Sequence, residues 1–303
     1  MSRVVGRFAP SPTGYMHAGN IFAALVTWLV AKSQGGEVVL RIEDLDPERS
    51  KSCYIDALQR DFEFLGLTWD RGPYFQSARS VVYQEAFEAL VHRNLIYPCF
   101  CTRADLHAAS APHFGEKPVY PGTCRTLSSE ERLRRETLRH PAMRLVVPDA
   151  TLRFTDGFQG DYDQNLKKDC GDFIVRRSDG AFAYQLAVVL DDAEQGITSV
   201  VRGIDLLCST PQQLHLQDLF GFQHPAYAHV PLLVNNNECR LSKRDHAAGI
   251  NELRDRFKTP EAIIGQLSGR AKITPSCDPV SPAELLSCFS FEGLKGRQSI
   301  IWT

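Results

Sequence analysis

The segment that most constrains this chain is RFAPSPTGYMHAGN, residues 7–20, which lies between two apolar stretches. Ala9 and Ser11 each precede a proline, and a residue in that position avoids the helical region of backbone space. The prolines themselves cannot donate a hydrogen bond to a sheet ladder. A strand that enters this segment must therefore end in a stiff, extended loop.

The glycines and the histidine of the same segment favour a phosphate site. Gly14 and Gly19 carry no side chain, so the backbone can turn sharply or approach a ligand closely. The helix predicted to begin near Gly19 points free N–H groups and the positive end of its dipole toward the loop. Such a joint suits a phosphate group. The competing interpretation is an ordinary loop in which His17 is a surface residue.

Composition indicates a globular protein without a membrane span. With 303 residues, 43% of them hydrophobic, the chain can bury one large core or two smaller ones. The longest nearly apolar run, residues 21–31, is too short to cross a bilayer. The first residues lack the apolar region of a signal peptide. We therefore expect a cytoplasmic protein with no membrane partner.

Charge and cysteine content narrow the class further. A formal net charge of −2 excludes a strongly basic, nonspecific nucleic-acid binder but permits a local basic face. Nine cysteines without an export signal favour reduced thiols or a metal site over a disulfide framework. A group of arginines in the middle of the chain is expected to be a solvated helix face. It comprises Arg132, Arg134, Arg135, Arg139 and Arg144.

Hydrophobic periodicity predicts an α/β fold. Residues 4–8 and 37–42 are predicted strands on either side of the helix near Gly19, which gives a βαβ unit with a parallel strand pair. Further strands of one sheet are predicted over residues 174–176, 184–190 and 197–202. Further helices are predicted over residues 52–65, 80–93, 210–220, 250–257 and 260–267.

Four separated stretches resemble the glutamate and glutamine branch of the class I aminoacyl-tRNA synthetases. RFAPSPTGYMHAGN is similar to the His-Ile-Gly-His signature, and RLSKRD at residues 240–245 is similar to the Lys-Met-Ser-Lys-Ser signature. RIEDLD at residues 41–46 and YQLAVVLDDAEQGITSVVRGIDLLCSTPQ at residues 184–212 also resemble that branch. The four stretches occur in the family order.

The resemblance implies a Rossmann-like class I synthetase catalytic domain with a zinc-binding insertion and a short C-terminal helical region. Residues 1–96 would form the first half of the catalytic domain, and residues 97–170 the insertion with the zinc site and an acceptor-type subdomain. Residues 171–235 would form the second half, and residues 236–303 the lysine-signature loop and helical region.

The length after the second signature points to a truncated branch of the family. Only 60 residues follow Lys243, whereas a further domain needs roughly 100–200 residues, so no anticodon-binding domain is expected. The truncated glutamyl-tRNA synthetase-like family activates L-glutamate with ATP and Mg²⁺ and attaches it to the queuosine base of tRNA-Asp. We expect a monomer of this type. A glutamyl-tRNA synthetase that charges the tRNA 3′ end, or a non-catalytic tRNA-binding paralogue, is the alternative.

A glutamate site needs groups that match two carboxylates and one ammonium, hence at least one guanidinium and one carboxylate. By resemblance, the residues of that site are Arg7, Ala9, Ser11, Glu43, Tyr184 and Arg202. Glu43 and Ser11 would face the amino group, and the backbone of Ala9 would line the pocket. The two arginines and Tyr184 would share the carboxylates, without a basis for saying which arginine takes which. Without the motifs, Arg202 or Glu43 would be read as part of a surface ion pair.

By resemblance, ATP is bound by His17, Gly19, Asn20 and Lys243, and His17 and Lys243 are catalytic. Asn20 replaces the second signature histidine and can donate a hydrogen bond but cannot carry a positive charge, so its role is open. Lys243 lies in a polar loop after three asparagines, where a closing lid and plain solvent exposure are both compatible with the sequence.

Cys99 and Cys101, two residues apart, place both thiols on one face of an extended segment. With Cys124 they could form three corners of a tetrahedral zinc site. Chemistry alone favours a histidine as the fourth ligand, either His113 or His107, whereas the resemblance points to Tyr120. Three buried free cysteines are the competing interpretation. Two other cysteines, Cys53 and Cys170, are expected to pack as small apolar groups.

Overall fold

The computed structural model describes residues 3–102, 104–105, 119–238 and 249–302. Its strands are Val5–Phe8 (β1), Glu37–Ile42 (β2), Arg71–Phe75 (β3), Ile96–Cys99 (β4), Ala142–Leu145 (β5), Thr151–Asp156 (β6), Gly160–Asn165 (β7), Phe173–Arg176 (β8), Ser199–Gly203 (β9), Ala226–Val230 (β10), Leu232–Val234 (β11) and Ser299–Ile301 (β12). Its α-helices are Ala18–Lys32 (α1), Ser52–Phe64 (α2), Ser80–His92 (α3), Ser129–Glu136 (α4), Tyr184–Glu194 (α5), Thr210–Phe220 (α6), Ile250–Phe257 (α7), Pro260–Arg270 (α8) and Pro282–Leu285 (α9).

The centre of the molecule is a layer of parallel strands. β1 pairs with β2, and β2 pairs with β3, all in parallel. β9 and β10 form a second parallel pair, which lies beside β1 because the Thr198 N–H donates to the Val5 carbonyl over 3.0 Å. The predicted βαβ unit with parallel strands is therefore confirmed, and it continues into the second half of the chain.

Helix α1 covers this layer and is apolar on most of its surface. Ile21, Leu25 and Leu29 are fully buried against the sheet and against α8. A helix that is apolar nearly all round is stable only when it is enclosed. The enclosure fixes the start of α1, and with it the loop of residues 9–17, at the carboxyl ends of the parallel strands.

The middle of the chain builds two antiparallel units. β4, β5 and β8 form a three-stranded sheet, and β6 and β7 form a hairpin. Leu152 and Phe154 of the hairpin pack against the core residues of β1, β9 and β10. The hairpin is thus in direct contact with the layer that carries the parallel strands.

Two of the predicted strands are corrected by the structure. Residues 184–190, predicted as a strand, belong to helix α5. The prediction was wrong because a short continuous apolar run such as Leu186–Leu190 is equally compatible with a buried helix and a buried strand. Residues 174–176 do form a strand, but it pairs antiparallel with β5 and not with the parallel layer. The other predicted helices are confirmed to within a few residues at their ends.

Two side-chain predictions are also corrected. Arg144 lies on β5 and is 5% exposed, so it does not belong to the solvated helix face. The α4 arginines do conform, since no residue of that helix is buried. Cys53 is exposed on α2 rather than packed in a core.

In the described ranges, no helix is both long enough and apolar enough to span a membrane.

A buried ion cluster joins the two halves of the chain. Arg41 on β2 is fully buried and donates to Asp192 on α5 over 2.7 Å. The neighbouring Asp191 is also fully buried, accepts from Arg79 over 2.6 Å and lies 3.7 Å from the Arg41 Nε. Burial opposes the charge of Arg41, but the surrounding carboxylates outweigh it and hold its pKa above the ordinary value. The cluster couples β2 to α5 across the whole insertion.

We predict that Asp191→Ala lowers the free energy of unfolding by about 3–5 kcal/mol, because the guanidinium groups of Arg41 and Arg79 then lose a buried carboxylate partner. The matched control is Glu194→Ala, which removes the other carboxylate bound to Arg79, since that carboxylate is exposed and its loss should cost less than about 1 kcal/mol. Urea unfolding measures both. Equal losses in the two variants would contradict a dominant role for the buried cluster.

Candidate active site

A cavity of about 490 Å³ opens at the carboxyl ends of β1, β9 and β10. This is the position at which parallel α/β sheets bind ligands. All the predicted glutamate and ATP residues that lie in the described ranges line it: Arg7, Ala9, Ser11, His17, Gly19, Asn20, Glu43, Tyr184 and Arg202. Lys243 and the rest of the RLSKRD motif lie outside the described residues.

The proline-containing loop is tied to the end of β2. The Glu43 N–H donates to the Pro10 carbonyl over 3.0 Å, and the Lys51 N–H donates to the Pro12 carbonyl over 3.3 Å. Because a proline cannot donate, its carbonyl is the backbone group left for such a contact. The contacts fix the loop over the cavity and bring Glu43 beside it.

His17 and Asn20 together cap helix α1. The Nδ1 of His17 accepts from the Gly19 N–H over 3.1 Å, and the Oδ1 of Asn20 accepts from the His17 N–H over 3.3 Å. A neutral imidazole whose Nδ1 accepts carries its proton on Nε2. The structure therefore gives Asn20 a capping role, which needs an acceptor and no positive charge.

Arg7 and Glu43 share the buried ion cluster. Arg7 is 4% exposed, its Nε lies 3.4 Å from the Asp192 carboxylate, and one terminal nitrogen donates to a backbone carbonyl. The Glu43 side chain is 8% exposed and accepts from Arg41 over 3.3 Å. Burial raises the pKa of Glu43 above its ordinary value, against the opposing effect of the two arginines. A cation that enters the cavity beside Glu43 would stabilise its ionised form.

Arg202 differs from Arg7 and Arg41 because all its partners are neutral. Over the described ranges, no carboxylate lies within 4.0 Å of its guanidinium. Its hydrogen-bond acceptors are His229 Nε2 at 3.0 Å, Gln213 Oε1 at 2.8 Å, Thr210 Oγ1 at 2.9 Å, Tyr184 Oη at 3.3 Å and the Leu206 carbonyl at 3.5 Å. The side chain is 5% exposed. A buried cation without a counter-ion creates a strong demand for an anion.

Sequence reasoning missed the groups behind Arg202. His229 lies on β10 and is fully buried, and its Nδ1 faces the Oδ2 of Asp156 at 2.5 Å. Asp156 is at the end of β6, inside the segment predicted to be an insertion. A signal was present in the sequence, since a histidine within the apolar strand AYAHV must find a buried hydrogen-bond partner. The partner, 73 residues earlier in the chain, has no motif.

The three predicted metal-binding cysteines lie together at the end of β4 and in the segment that follows it. The sulfur atoms of Cys99, Cys101 and Cys124 all lie within 4.8 Å of one another. Sulfur atoms around a tetrahedral zinc ion are about 3.8 Å apart, as bond lengths of about 2.3 Å require, and Cys101 and Cys124 are 3.6 Å apart. The Tyr120 Oη lies 3.4 Å from the Cys99 Sγ. The cluster could therefore hold a metal ion. His107 and His113 lie outside the described residues.

Charge around the cysteines also suits a cation. Burial and the neighbouring Cys99 raise the pKa of Cys101 to about 12, so a nearby cation would be needed to stabilise its thiolate form. The Arg144 guanidinium lies 3.8 Å from the centre of the Tyr120 ring. A guanidinium over an aromatic ring is attracted to the ring face by a cation–π contact.

Comparison with known proteins defines the class of this molecule. Residues 3–278 match the family model of the tRNA synthetases class I (E and Q), catalytic domain. A glutamate tRNA ligase from Elizabethkingia meningosepticum, solved in complex with its amino acid, superposes with a TM-score of 0.82 at 26% identity. That match covers 100% of this chain and 67% of the ligase. The fold is thus a class I synthetase catalytic domain.

More similar relatives narrow the class to one family. Glutamyl-Q tRNA(Asp) synthetase from Nitratidesulfovibrio vulgaris is 45% identical over 96% of this chain and 94% of its own. The protein of the same name from Symbiobacterium thermophilum is 43% identical over 94% of this chain and 91% of its own. The chain therefore belongs to the glutamyl-Q tRNA(Asp) synthetase family. The prediction of a class I ligase of this family is confirmed.

Proposed function

We propose that this protein activates L-glutamate with ATP and transfers the glutamyl group to the queuosine base of tRNA-Asp. The observation that carries the proposal is the pairing, in one cavity, of an uncompensated guanidinium on Arg202 with a buried carboxylate on Glu43. A dicarboxylic amino acid complements both groups. Family membership supports the choice of acceptor.

Charge complementarity suggests how glutamate is held. Arg7 already shares Asp192 with Arg41, whereas Arg202 contacts no carboxylate of the described chain, so Arg202 has the larger unmet demand for a substrate carboxylate. Its longest hydrogen bonds, to Tyr184 at 3.3 Å and Leu206 at 3.5 Å, are the ones that an entering carboxylate would replace. The substrate ammonium would lie by Glu43 and Ser11, with the Ala9 backbone lining the pocket.

The activation step requires little from the protein beyond position and charge. An oxygen of the glutamate α-carboxylate bonds to the α-phosphorus of ATP. The bond from that phosphorus to the bridging oxygen breaks, and pyrophosphate leaves with the electron pair. The Nε2–H of His17 and the N-terminal end of α1, including Gly19, would stabilise the charge on the α-phosphate oxygens. Asn20 would keep His17 in place through the cap.

Lys243 and Mg²⁺ would neutralise the remaining phosphates of ATP. Family membership supports this role for Lys243. Gly249, the first described residue after the lysine signature, pairs with His17 in an antiparallel bridge. In the second step, the queuosine base takes the glutamyl group from the adenylate and AMP leaves.

The proposed function is tested by two reactions. Exchange of pyrophosphate into ATP should depend on glutamate and proceed without tRNA, and labelled glutamate should pass to tRNA-Asp that contains queuosine. Charging of tRNA-Glu instead would identify a conventional glutamyl-tRNA synthetase. Absence of exchange with well-folded protein would favour a tRNA-binding paralogue without catalysis.

Substrate choice should depend on Arg202. Arg202→Ala should raise the KM for glutamate about 100-fold or more, and it should narrow the preference for glutamate over glutamine, because the guanidinium no longer needs a carboxylate. Pyrophosphate exchange measures both. The control, Arg135→Ala on the exposed helix α4, should leave exchange unchanged. An undiminished preference for glutamate in Arg202→Ala would show that another group selects the carboxylate.

We also propose that the cysteine cluster holds one structural zinc ion, with Cys99, Cys101, Cys124 and Tyr120 as ligands. The distances among these four groups support the proposal, and the presence of Tyr120 within the cluster favours it over a histidine. Zinc, when bound, would supply cross-links between β4 and the segment that follows it. Arg144 would hold the Tyr120 ring in position.

Purified protein should contain about one zinc per chain, and Cys101→Ser should lose it, because a structural site rarely tolerates loss of a thiolate. Elemental analysis of protein prepared without chelators provides the measurement. Cys53→Ser, which removes an exposed thiol, is the matched control and should retain the metal. Glutamate-dependent exchange should persist in Cys101→Ser more than transfer to tRNA does, since the cluster lies away from the cavity. Metal-free wild-type protein would contradict the assignment.

A further inference from the structure

The groups behind Arg202 form a linear chain of hydrogen bonds that ends in a carboxylate. The Nε of Arg202 donates to the Nε2 of His229 over 3.0 Å, and the Nδ1 of His229 donates to the Oδ2 of Asp156 over 2.5 Å. Both side chains behind Arg202 are fully buried. Burial lowers the pKa of His229 below its ordinary value. The Arg202 Nε–H can only donate, so Nε2 of the imidazole must accept and the ring is neutral. A neutral imidazole with this pair of contacts has a single possible tautomer.

The other oxygen of Asp156 fixes the orientation of the carboxylate. Oδ1 accepts three backbone N–H groups, from Phe158, Gln159 and His229, each over 3.0 Å. Burial works against ionisation of Asp156, but the hydrogen bonds from His229 outweigh it and keep the pKa below its ordinary value. Oδ2 is therefore held as an acceptor that faces His229. The hairpin that carries Asp156 is packed on the sheet that carries Arg202, so the chain of contacts has a rigid base.

We propose that Asp156 and His229 are positioning residues that hold the guanidinium of Arg202 in the orientation required to bind a substrate carboxylate. This inference rests on the proposed function, since the carboxylate is that of glutamate. The imidazole accepts the Nε–H at the back of the guanidinium. One terminal nitrogen is then directed toward Tyr184 and Gln213, and the other toward Thr210 and the Leu206 carbonyl. Asp156 acts through His229 by fixing the tautomer.

Asp156→Asn isolates this role because it conserves shape. The three backbone N–H donors at Oδ1 require an acceptor there, so the amide oxygen of the new asparagine must take that position. Its NH₂ group then faces His229 Nδ1, which must accept. The ring proton moves to Nε2, where it opposes the Nε–H of Arg202. Two donors that face each other push the guanidinium out of place.

The KM for glutamate in pyrophosphate exchange should therefore rise about 10- to 100-fold in Asp156→Asn and in His229→Ala, as expected for a lost hydrogen bond to a charged group. The KM for ATP should stay within about twofold, because neither residue lies among the predicted ATP-binding residues. A general loss of structure would instead raise the KM values for both substrates. His229→Gln can place an amide oxygen near the Nε2 position and should recover most of the loss. His224→Ala is the control, since His224 forms an exposed pair with Asp218 over 2.7 Å.

The tautomer provides a readout that a merely structural role would not change. Nitrogen-15 NMR of the histidine rings, assigned by the signals lost in His229→Gln, should show His229 neutral and protonated on Nδ1 in wild type. In Asp156→Asn the proton should appear on Nε2. A wild-type ring protonated on Nε2 would overturn the proposal.

The remaining outcomes separate this inference from the proposed function. No exchange by the wild type contradicts the proposed function. Wild-type exchange combined with an unchanged glutamate KM in folded Asp156→Asn and His229→Ala contradicts the positioning role alone. If His229→Ala does not fold, as judged by its melting temperature, Asp156→Asn and His229→Gln decide the question.

Discussion

The buried guanidinium of Arg41 is the constraint on which the rest of the active half of the molecule depends. Carboxylates surround this fully buried cation and offset the cost of its burial. They come from Glu43, just after β2, and from a helix some 150 residues later. Asp192 contacts both Arg41 and Arg7, so the same interaction that joins the two halves also aligns the cavity wall. Fold and site are thus stabilised by one network.

The intervening segment contributes more than a separate subdomain. Its sheet carries the cysteine cluster, remote from the cavity, but its hairpin returns to the parallel layer and supplies Asp156. Gln159, at the tip of the hairpin, donates to the carbonyls of His229 and Arg297. The hairpin is therefore tied both to the strand behind Arg202 and to the C-terminal region. A change in the position of the hairpin would therefore shift His229, and with it Arg202, at the proposed glutamate pocket.

Sequence patterns predicted the elements that are determined locally. The end of β1 and the start of α1 follow from the prolines and glycines of residues 7–20, all within one segment. Helix α5 was misread because five consecutive buried residues have no period that distinguishes helix from strand. The antiparallel pairing of Phe173–Arg176 could not be predicted, because strand pairing depends on partners that are distant in sequence. Among site residues, the motifs identified the cavity lining, whereas Asp156 and His229 become related only when the chain folds.

The three arginines near the cavity show how a pocket can be both stable and ready for an anion. Arg41 is surrounded by carboxylates, which satisfies its charge and makes it a structural residue. A carboxylate in direct contact with Arg202 would orient it equally well but would also neutralise it and compete with the substrate. A neutral imidazole orients the guanidinium without adding an opposing charge at contact distance. The negative charge of Asp156 is kept one residue further away, where it fixes the ring and leaves most of the positive potential of Arg202 in the cavity.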